Sequence, residues 1–336
     1  MNSSDSDIIL QLNNISTVLF KYMSPPLFIV GNLGNFTSIF MFSKKIWRKN
    51  VCVFYFFIYL IFGLCFINST MLGSIFTYGN NIAAQNNNVV LCKFYIYAAF
   101  IWATGAPTVL ILASIDRLLI SSQNVDTRLY SSKRLAYFMI SISTCFWIIF
   151  NIHLLVKVNI YQFGPSLYLC SYEPTNEYLN FVFFFLTGIH TLYVIVLFIL
   201  SILSFKNVHH IQLIPRQQQK ELRTMTKRDF QLLRCLFAEG IVFMIFAMLI
   251  NGYYFYQAIT REQIRTPLQT AVGNFINNLF TFLYNIPYCA NFFVFISLSK
   301  AFRHDFKRLI YKVCGKSITV MREENNQINL AAINET

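Results

Sequence analysis

The chain has 336 residues, of which 56% are hydrophobic and only 12% charged. Soluble domains average roughly 25% charged and about 45–50% apolar residues, so the polar remainder here is too small to cover one soluble domain. The 36 Phe and 19 Tyr exclude disorder over most of the length, and the size with only 8 Cys excludes a secreted disulfide mini-protein. The formal net charge of +13 leaves nucleic acid or a membrane surface as partners, to be separated by where the charges fall.

A bilayer core of about 30 Å takes roughly 20 mostly apolar helical residues to cross. Seven such runs follow in order: Met23–Ser43, Val51–Phe76, Val89–Ser121, Leu135–Val158, Tyr178–Phe205, Asp229–Tyr256 and Gln269–Ser297. The expected organisation is a polar N-terminal segment (1–22), an all-α seven-helix membrane domain (23–298), an amphipathic helix (299–314) and a disordered tail (315–336). The N-terminal segment lacks a basic start, so no cleavable signal peptide is expected and the first span serves as the insertion signal. Charges within the runs, Lys93, Asp116, Arg117, Lys157, Asp229 and Arg234, lie near run ends where they can reach the interface; Glu239 does not.

Alternate gaps between runs are basic. The gaps after runs one, three and five, counted with the run-end residues Arg117 and Arg234, and residues 300–316 hold 21 Lys and Arg, against 5 in the N-terminus and the other gaps with their run ends. Lys and Arg in short loops stay on the cytoplasmic side, which predicts an outside N-terminus and an inside C-terminus. The positive charge is thereby absorbed by topology, and no nucleic acid partner is expected. Asn2 and Asn14 head glycosylation triplets in the segment expected outside.

Asp116-Arg117-Leu118 closes the third run, where an acid and an arginine are costly and call for a reason; a snorkelling pair at the interface is the plain one. Cys92 opens the same run, about 37 Å from Arg117 at the helical rise per residue. Cys170 lies in the next outer loop, so both thiols face the oxidising side, where a disulfide or two free thiols are open.

In the order and spacing of these features the chain resembles the rhodopsin-like family of G-protein-coupled receptors over nearly all of residues 23–314. Asn35 in Gly31-Asn32-Leu33-Gly34-Asn35 is similar to the family's first-helix Asn, and Trp147 to its fourth-helix Trp. Asp116-Arg117-Leu118 is similar to its acid-Arg-aromatic triplet, with Leu118 for the aromatic, and Asn291-Phe292-Phe293-Val294-Phe295 to its Asn-Pro-x-x-Tyr. The seventh-helix pattern is closest to invertebrate neuropeptide receptors of the FMRFamide-receptor-like type and lophotrochozoan orphan relatives. The resemblance implies a Cys92–Cys170 disulfide and an activation and G-protein-coupling role for Asp116, Arg117, Asn291, Phe295 and Asn35. It also implies departures. Gly63 stands where the family has its sodium-binding acid. Phe246-Ala247-Met248-Leu249 replaces the sixth-helix Cys-Trp-x-Pro, while Phe243 is kept. Phe292 and Phe295 replace the seventh-helix proline and tyrosine, and Pro287 can still kink that span.

The expected function is a plasma-membrane, multi-pass receptor that passes an extracellular ligand, a peptide favoured, to a heterotrimeric G protein. Asp229 is either a second acid for Arg117 or a helix-start acid favoured by the dipole. Candidate pocket residues are Phe100, Thr104, Asn251, Tyr254, Asn277, Thr281 and Asn285, the last three four apart and so on one helix face. Ala99 stands where amine receptors place an aspartate, which disfavours a cationic amine. The seventh span has no Lys, which excludes a retinal Schiff base there. Residues Lys300–Tyr311 read as an interfacial helix on membrane lipid, followed by Cys314 as either a palmitoylation site or a free thiol. Metalloprotease, hydrolase, redox and phosphate-loop motifs are missing, so no enzyme, cofactor or metal is expected. The alternatives are a chemosensory receptor for a small molecule and, from another class, a transporter or ligand-gated channel, against which the undivided chain and the outside N-terminus argue.

Overall fold

A computed structural model describes residues 3–48, 50–121, 130–164, 167–173, 176–213, 227–260, 263 and 265–313. These residues are mostly helical. In chain order they form α1 (Ser3–Val18), α2 (Ser24–Phe42), α3 (Val51–Gly79), α4 (Val89–Ile120), α5 (Lys133–Lys157), the strands β1 (Val158–Gly164) and β2 (Leu167–Tyr172), α6 (Asn176–Leu213), α7 (Lys227–Ile259), α8 (Pro267–Leu298) and α9 (Lys300–Val313).

Six helices, α3 to α8, contain stretches long and apolar enough to cross a membrane. The faces they turn away from the bundle identify the medium. On α6 the inward face carries Val182, Leu186, Tyr193 and Leu197, all buried, and the outward face carries Leu192, Ile195, Ile199 and Ile202, all exposed. α5 likewise exposes Phe138, Ile142, Phe146 and Ile149 in one stripe. A helix apolar all round needs protein or lipid on every side. The chain is therefore a multi-pass membrane protein.

The expected first span coincides with α2, which falls outside that set of six. Pro25, Pro26, Asn32 and Asn35 dilute its Leu, Ile, Val and Phe. The segment before it is helical: α1 runs into α2 through the π-turn Leu19–Met23. Pro25 and Pro26 offer no N–H to the carbonyls of Lys21 and Tyr22, and the backbone widens there rather than breaking. Phe20 is buried against Tyr78 at 5.2 Å and Phe282 at 6.5 Å, which holds this end of the helix on α3 and α8.

Sequence explains the other starts and bends. Asn50, Asn88 and Ser132 accept the first-turn N–H groups of α3, α4 and α5, and Thr266 with Gln269 forms a capping box on α8. In α3 the side chains of Asn68, Ser69, Thr70 and Ser74 all donate to carbonyls four residues back. These bonds compete with the helical ladder, and π-turns occupy Ile67–Met71 and Ile75–Gly79. α5 is interrupted at Asn151 and α8 at Asn285, two residues before Pro287. α4 keeps Pro107 inside its 32 residues.

The main core draws on α2 to α9, and α2 packs closely on α8. A Cβ added to Gly31 would lie 2.6 Å from Cys289 Sγ, and one on Gly34 2.8 Å from Phe292 Cβ. Glycine at both positions lets the backbones approach, as small residues do between membrane helices. Gly34→Ala is expected to lower stability by about 1–3 kcal/mol, the cost of overpacking. Gly188→Ala, where nothing lies within 4 Å of the added Cβ, is expected to raise it by roughly 0.5–1 kcal/mol. Thermal unfolding of the detergent-purified chain checks both signs.

Candidate functional site

Two polar regions lie at opposite ends of α4. The first surrounds Arg117, whose side chain is buried completely. Its Nε and Nη2 donate to Asp116 Oδ2 at 3.2 and 2.6 Å, and its Nη1 donates to Asp229 Oδ1 at 3.2 Å. Asp229 comes from the first turn of α7, so the guanidinium is held between two helices. The carboxylates are themselves oriented: Ser131 Oγ donates to Asp116 Oδ1, and Asn50 Nδ2 donates to Asp229 Oδ1, each at 2.5 Å. Asp229 therefore meets the arginine and is also a helix-start acid; the two options for it coincide. A buried ion pair is costly to desolvate but more costly to leave half-made, about 3–5 kcal/mol.

The second region is a cavity of about 610 Å³. Of the expected pocket residues, Phe100, Thr104, Tyr254, Asn277, Thr281 and Asn285 line it. Asn251 is buried in α7 but is not among the lining residues, and its Oδ1 has no hydrogen-bond partner among the described residues. Residues outside that expectation add to the wall: Gln257, Asn274 and His190 from the helices, Arg265 from the segment before α8, and Cys170, Ser171 and Tyr172 from β2. Arg265 is the only charged side chain among the described lining residues. Its Nη2 donates to Thr260 Oγ1 at 2.8 Å and its guanidinium lies over the Tyr256 ring.

The disulfide explains why the hairpin is there. Cys92 at the start of α4 is bonded to Cys170, with 5.5 Å between the Cα atoms. Cys170 N–H also donates to Asn86 Oδ1 at 2.9 Å, and Cys170 pairs with Ile160 across the antiparallel strands. Tyr172, two residues on, meets the Phe100 ring at 6.0 Å. The position of Cys170 was the sequence signal for Ser171 and Tyr172. Arg265 carried none, since a basic residue before Thr266-Pro267 reads as a plain loop charge.

Between the two regions runs a chain of polar and aromatic groups. Tyr284, at the cavity wall, lies 3.3 Å from His190 Nε2 and accepts from Tyr288 OH at 3.3 Å. Its ring meets Phe66, Phe243 and Tyr288. One turn further, Asn291 Nδ2 donates to Asn35 Oδ1 at 3.0 Å, and Asn35 Nδ2 donates to the Tyr288 carbonyl at 2.8 Å. Gly63 faces both amides: a Cβ there would lie 3.7 Å from Asn291 Nδ2 and 3.9 Å from Asn35 Nδ2. Phe295 is buried at 5.0 Å from both Phe42 and Phe56. Trp147 Nε1 donates to Thr108 Oγ1 at 3.0 Å, and Tyr193 OH donates to the Thr104 carbonyl at 3.1 Å, binding α5 and α6 to α4. Glu239 is buried in α7, and neither carboxyl oxygen has a hydrogen-bond partner among the described residues.

Asn14 is exposed on α1, while Asn2 and Cys314 lie outside the described residues. No protein-family model matches the chain, and no curated protein matches it.

The disulfide closes a loop of 78 residues. Cys92→Ser is expected to cost about 2–5 kcal/mol of stability and to expose Cys170 as a new thiol. Intact mass after alkylation of the unreduced chain, read beside the unfolding midpoint, checks both.

Proposed function

We propose that the protein is a seven-helix receptor of the plasma membrane, α2 being the first span, with its N-terminus outside, which couples an extracellular ligand to a heterotrimeric G protein. The observation that carries this reading is the pairing of a cavity at one end of α4 with a buried, doubly held arginine at the other. The basic loops add to it: 21 of 27 Lys and Arg belong to the end that holds Arg117 in this topology. The resemblance of Asn35, Cys92, Asp116-Arg117, Trp147, Cys170 and Asn291 to the rhodopsin-like pattern supplies the class.

In this reading the ligand acts as a bias between two arrangements of the bundle. The cavity wall is shared among α4, α7 and α8, through Phe100 and Thr104, Tyr254, and Asn277, Thr281 and Asn285. A ligand that contacts all three favours one spacing of those helices. Separation of α7 from α4 at the other end breaks the Arg117–Asp229 contact and leaves the guanidinium for a G protein. The ligand gains leverage only through its differential affinity for the two arrangements.

The lining favours a ligand with amide, hydroxyl and aromatic groups, a peptide first. A small neutral or anionic molecule is the second reading, because the cavity volume falls within the range of small-molecule sites. A cationic amine finds no carboxylate among the described lining residues and meets Arg265 instead.

Arg117→Ala is expected to abolish ligand-driven nucleotide exchange per molecule at the surface, beyond any loss of surface level from the broken ion pairs, and unchanged exchange sinks the assigned role. Asp229→Asn, which weakens the hold from α7 and keeps the side-chain shape, is expected to raise exchange without ligand. An N-terminal epitope tag is expected to be accessible on intact cells; labelling only after permeabilisation reverses the topology and with it the receptor reading.

A further inference from the structure

We propose that the groove between the end of α2 and α9 binds an inositol phospholipid, with phosphates among Lys44, Lys45, Arg308 and Lys312 and acyl chains along Phe40 and Ile46. The groove encloses about 660 Å³, and its wall is formed by these six residues with Leu309 and Asp305. This inference stands apart from receptor function and needs only that the chain is a membrane protein.

Three features of the groove select this ligand. The first is uncompensated charge. Four cations converge, and none of them has an ion-pair partner among the described residues. The only acid among the described wall residues, Asp305, is already engaged: its Oδ2 accepts from Trp47 Nε1 at 2.8 Å and its Oδ1 lies 3.6 Å from His304 Nδ1. Like charges brought together without a counter-ion repel, and a multiply charged anion removes the repulsion.

The second is the apolar half of the wall. Phe40 and Ile46 are exposed by 55% and 56%, beside the cations rather than behind them. A soluble phosphate uses only the charges; a phospholipid uses both halves. Lys44 shows the geometry in its own side chain, with Nζ 5.7 Å from the centre of the Phe40 ring.

The third is position. α8 crosses the membrane and ends at Leu298, and α9 begins at Lys300, so the groove opens at the membrane boundary. α9 is fixed there. Ser299 Oγ accepts the Phe302 N–H at 3.1 Å, Gln231 Oε1 of α7 accepts the Ala301 N–H at 2.9 Å, and Phe302 is buried against Phe42 and Phe295. The face of α9 toward the groove carries Asp305, Arg308, Leu309 and Lys312, while Lys300 and Lys307 fall on the opposite face by helical spacing.

The test uses the purified full chain in detergent, offered phosphatidylinositol bisphosphate, phosphatidylserine and phosphatidylcholine at equal concentration, with retained lipid counted by intact-protein mass spectrometry. Since one basic side chain near an anionic surface is worth about fivefold in affinity, the bisphosphate lipid is expected in about tenfold or greater excess over phosphatidylcholine. The double variant Lys45→Gln/Arg308→Gln is expected to lose at least about fivefold of that retention, and Lys300→Gln/Lys307→Gln, with the same charge loss, less than about twofold. Lys45→Arg/Arg308→Lys keeps the charges and is expected to keep the lipid. Excess inositol trisphosphate is expected to leave the lipid bound. The proposal is overturned if the wild-type chain shows no preference over phosphatidylcholine. Equal losses in the two glutamine variants would reduce the groove to a diffuse field of orientation charges. Displacement by the soluble headgroup would make it a phosphate site without a lipid.

Discussion

The interaction on which the arrangement depends is a single guanidinium with no exposed surface. Taking Arg117 out of water costs several kcal/mol, and only well-placed carboxylates offset that cost. Asp116 is its neighbour in the chain and comes with it. Asp229 does not, and it reaches Arg117 only if the first turn of α7 lies against the last turns of α4. Asn50 and Ser131, which hold the two carboxylates, stand at the starts of α3 and α5. The ends of four helices are thereby registered on one charge. Apolar packing is non-directional and cannot supply that registration.

Away from this point the bundle becomes less regular. The π-turns of α3 and the interruption of α8 at Asn285 fall in the cavity half, and Pro107 lies near the middle of α4. Backbone groups released there are taken up by side chains, as where Asn285 Nδ2 donates to the Thr281 carbonyl at 2.8 Å. Without water in the hydrocarbon layer, irregular backbone is tolerated only where such partners exist or a cavity is lined. One end of the molecule is accordingly close-packed and ionic. The other is bent, hydroxyl-rich and hollow.

Much of this was legible in the chain. Long apolar runs, asparagine and serine caps and the isolated Asp116-Arg117 pair mark the helices and the ionic end directly. Rotation about each helix was not legible, because a membrane helix is apolar on both faces and carries little amphipathic signal to orient it. Asn251, a pocket candidate by sequence, is buried outside the wall, whereas Asn274, three residues from Asn277, lines it. The helical N-terminal segment was hidden for another reason. Its residues mix polar with scattered apolar side chains, and its end is anchored by the long-range burial of Phe20 on Tyr78 and Phe282.

The lost sixth-helix motif shows how the two ends can still be linked. α7 has Ala247 where the resemblance places a tryptophan, and it has no proline in its 33 residues. The large aromatic side chain at the cavity floor comes from α8 instead: Tyr284 lines the cavity and meets Phe243 of α7 at 6.2 Å. Without a proline, α7 lacks the commonest cause of a sharp helix kink. Tyr254 at the cavity and Asp229 at the arginine are 25 residues apart on α7, about 37 Å along its axis. In the proposed receptor, a tilt imposed at Tyr254 or through Tyr284 is carried along α7 toward Asp229. There the contact to Arg117 is 3.2 Å long, so a displacement of about 1 Å already exceeds hydrogen-bond reach. In that reading α7 does by leverage what a kinked helix would do by bending.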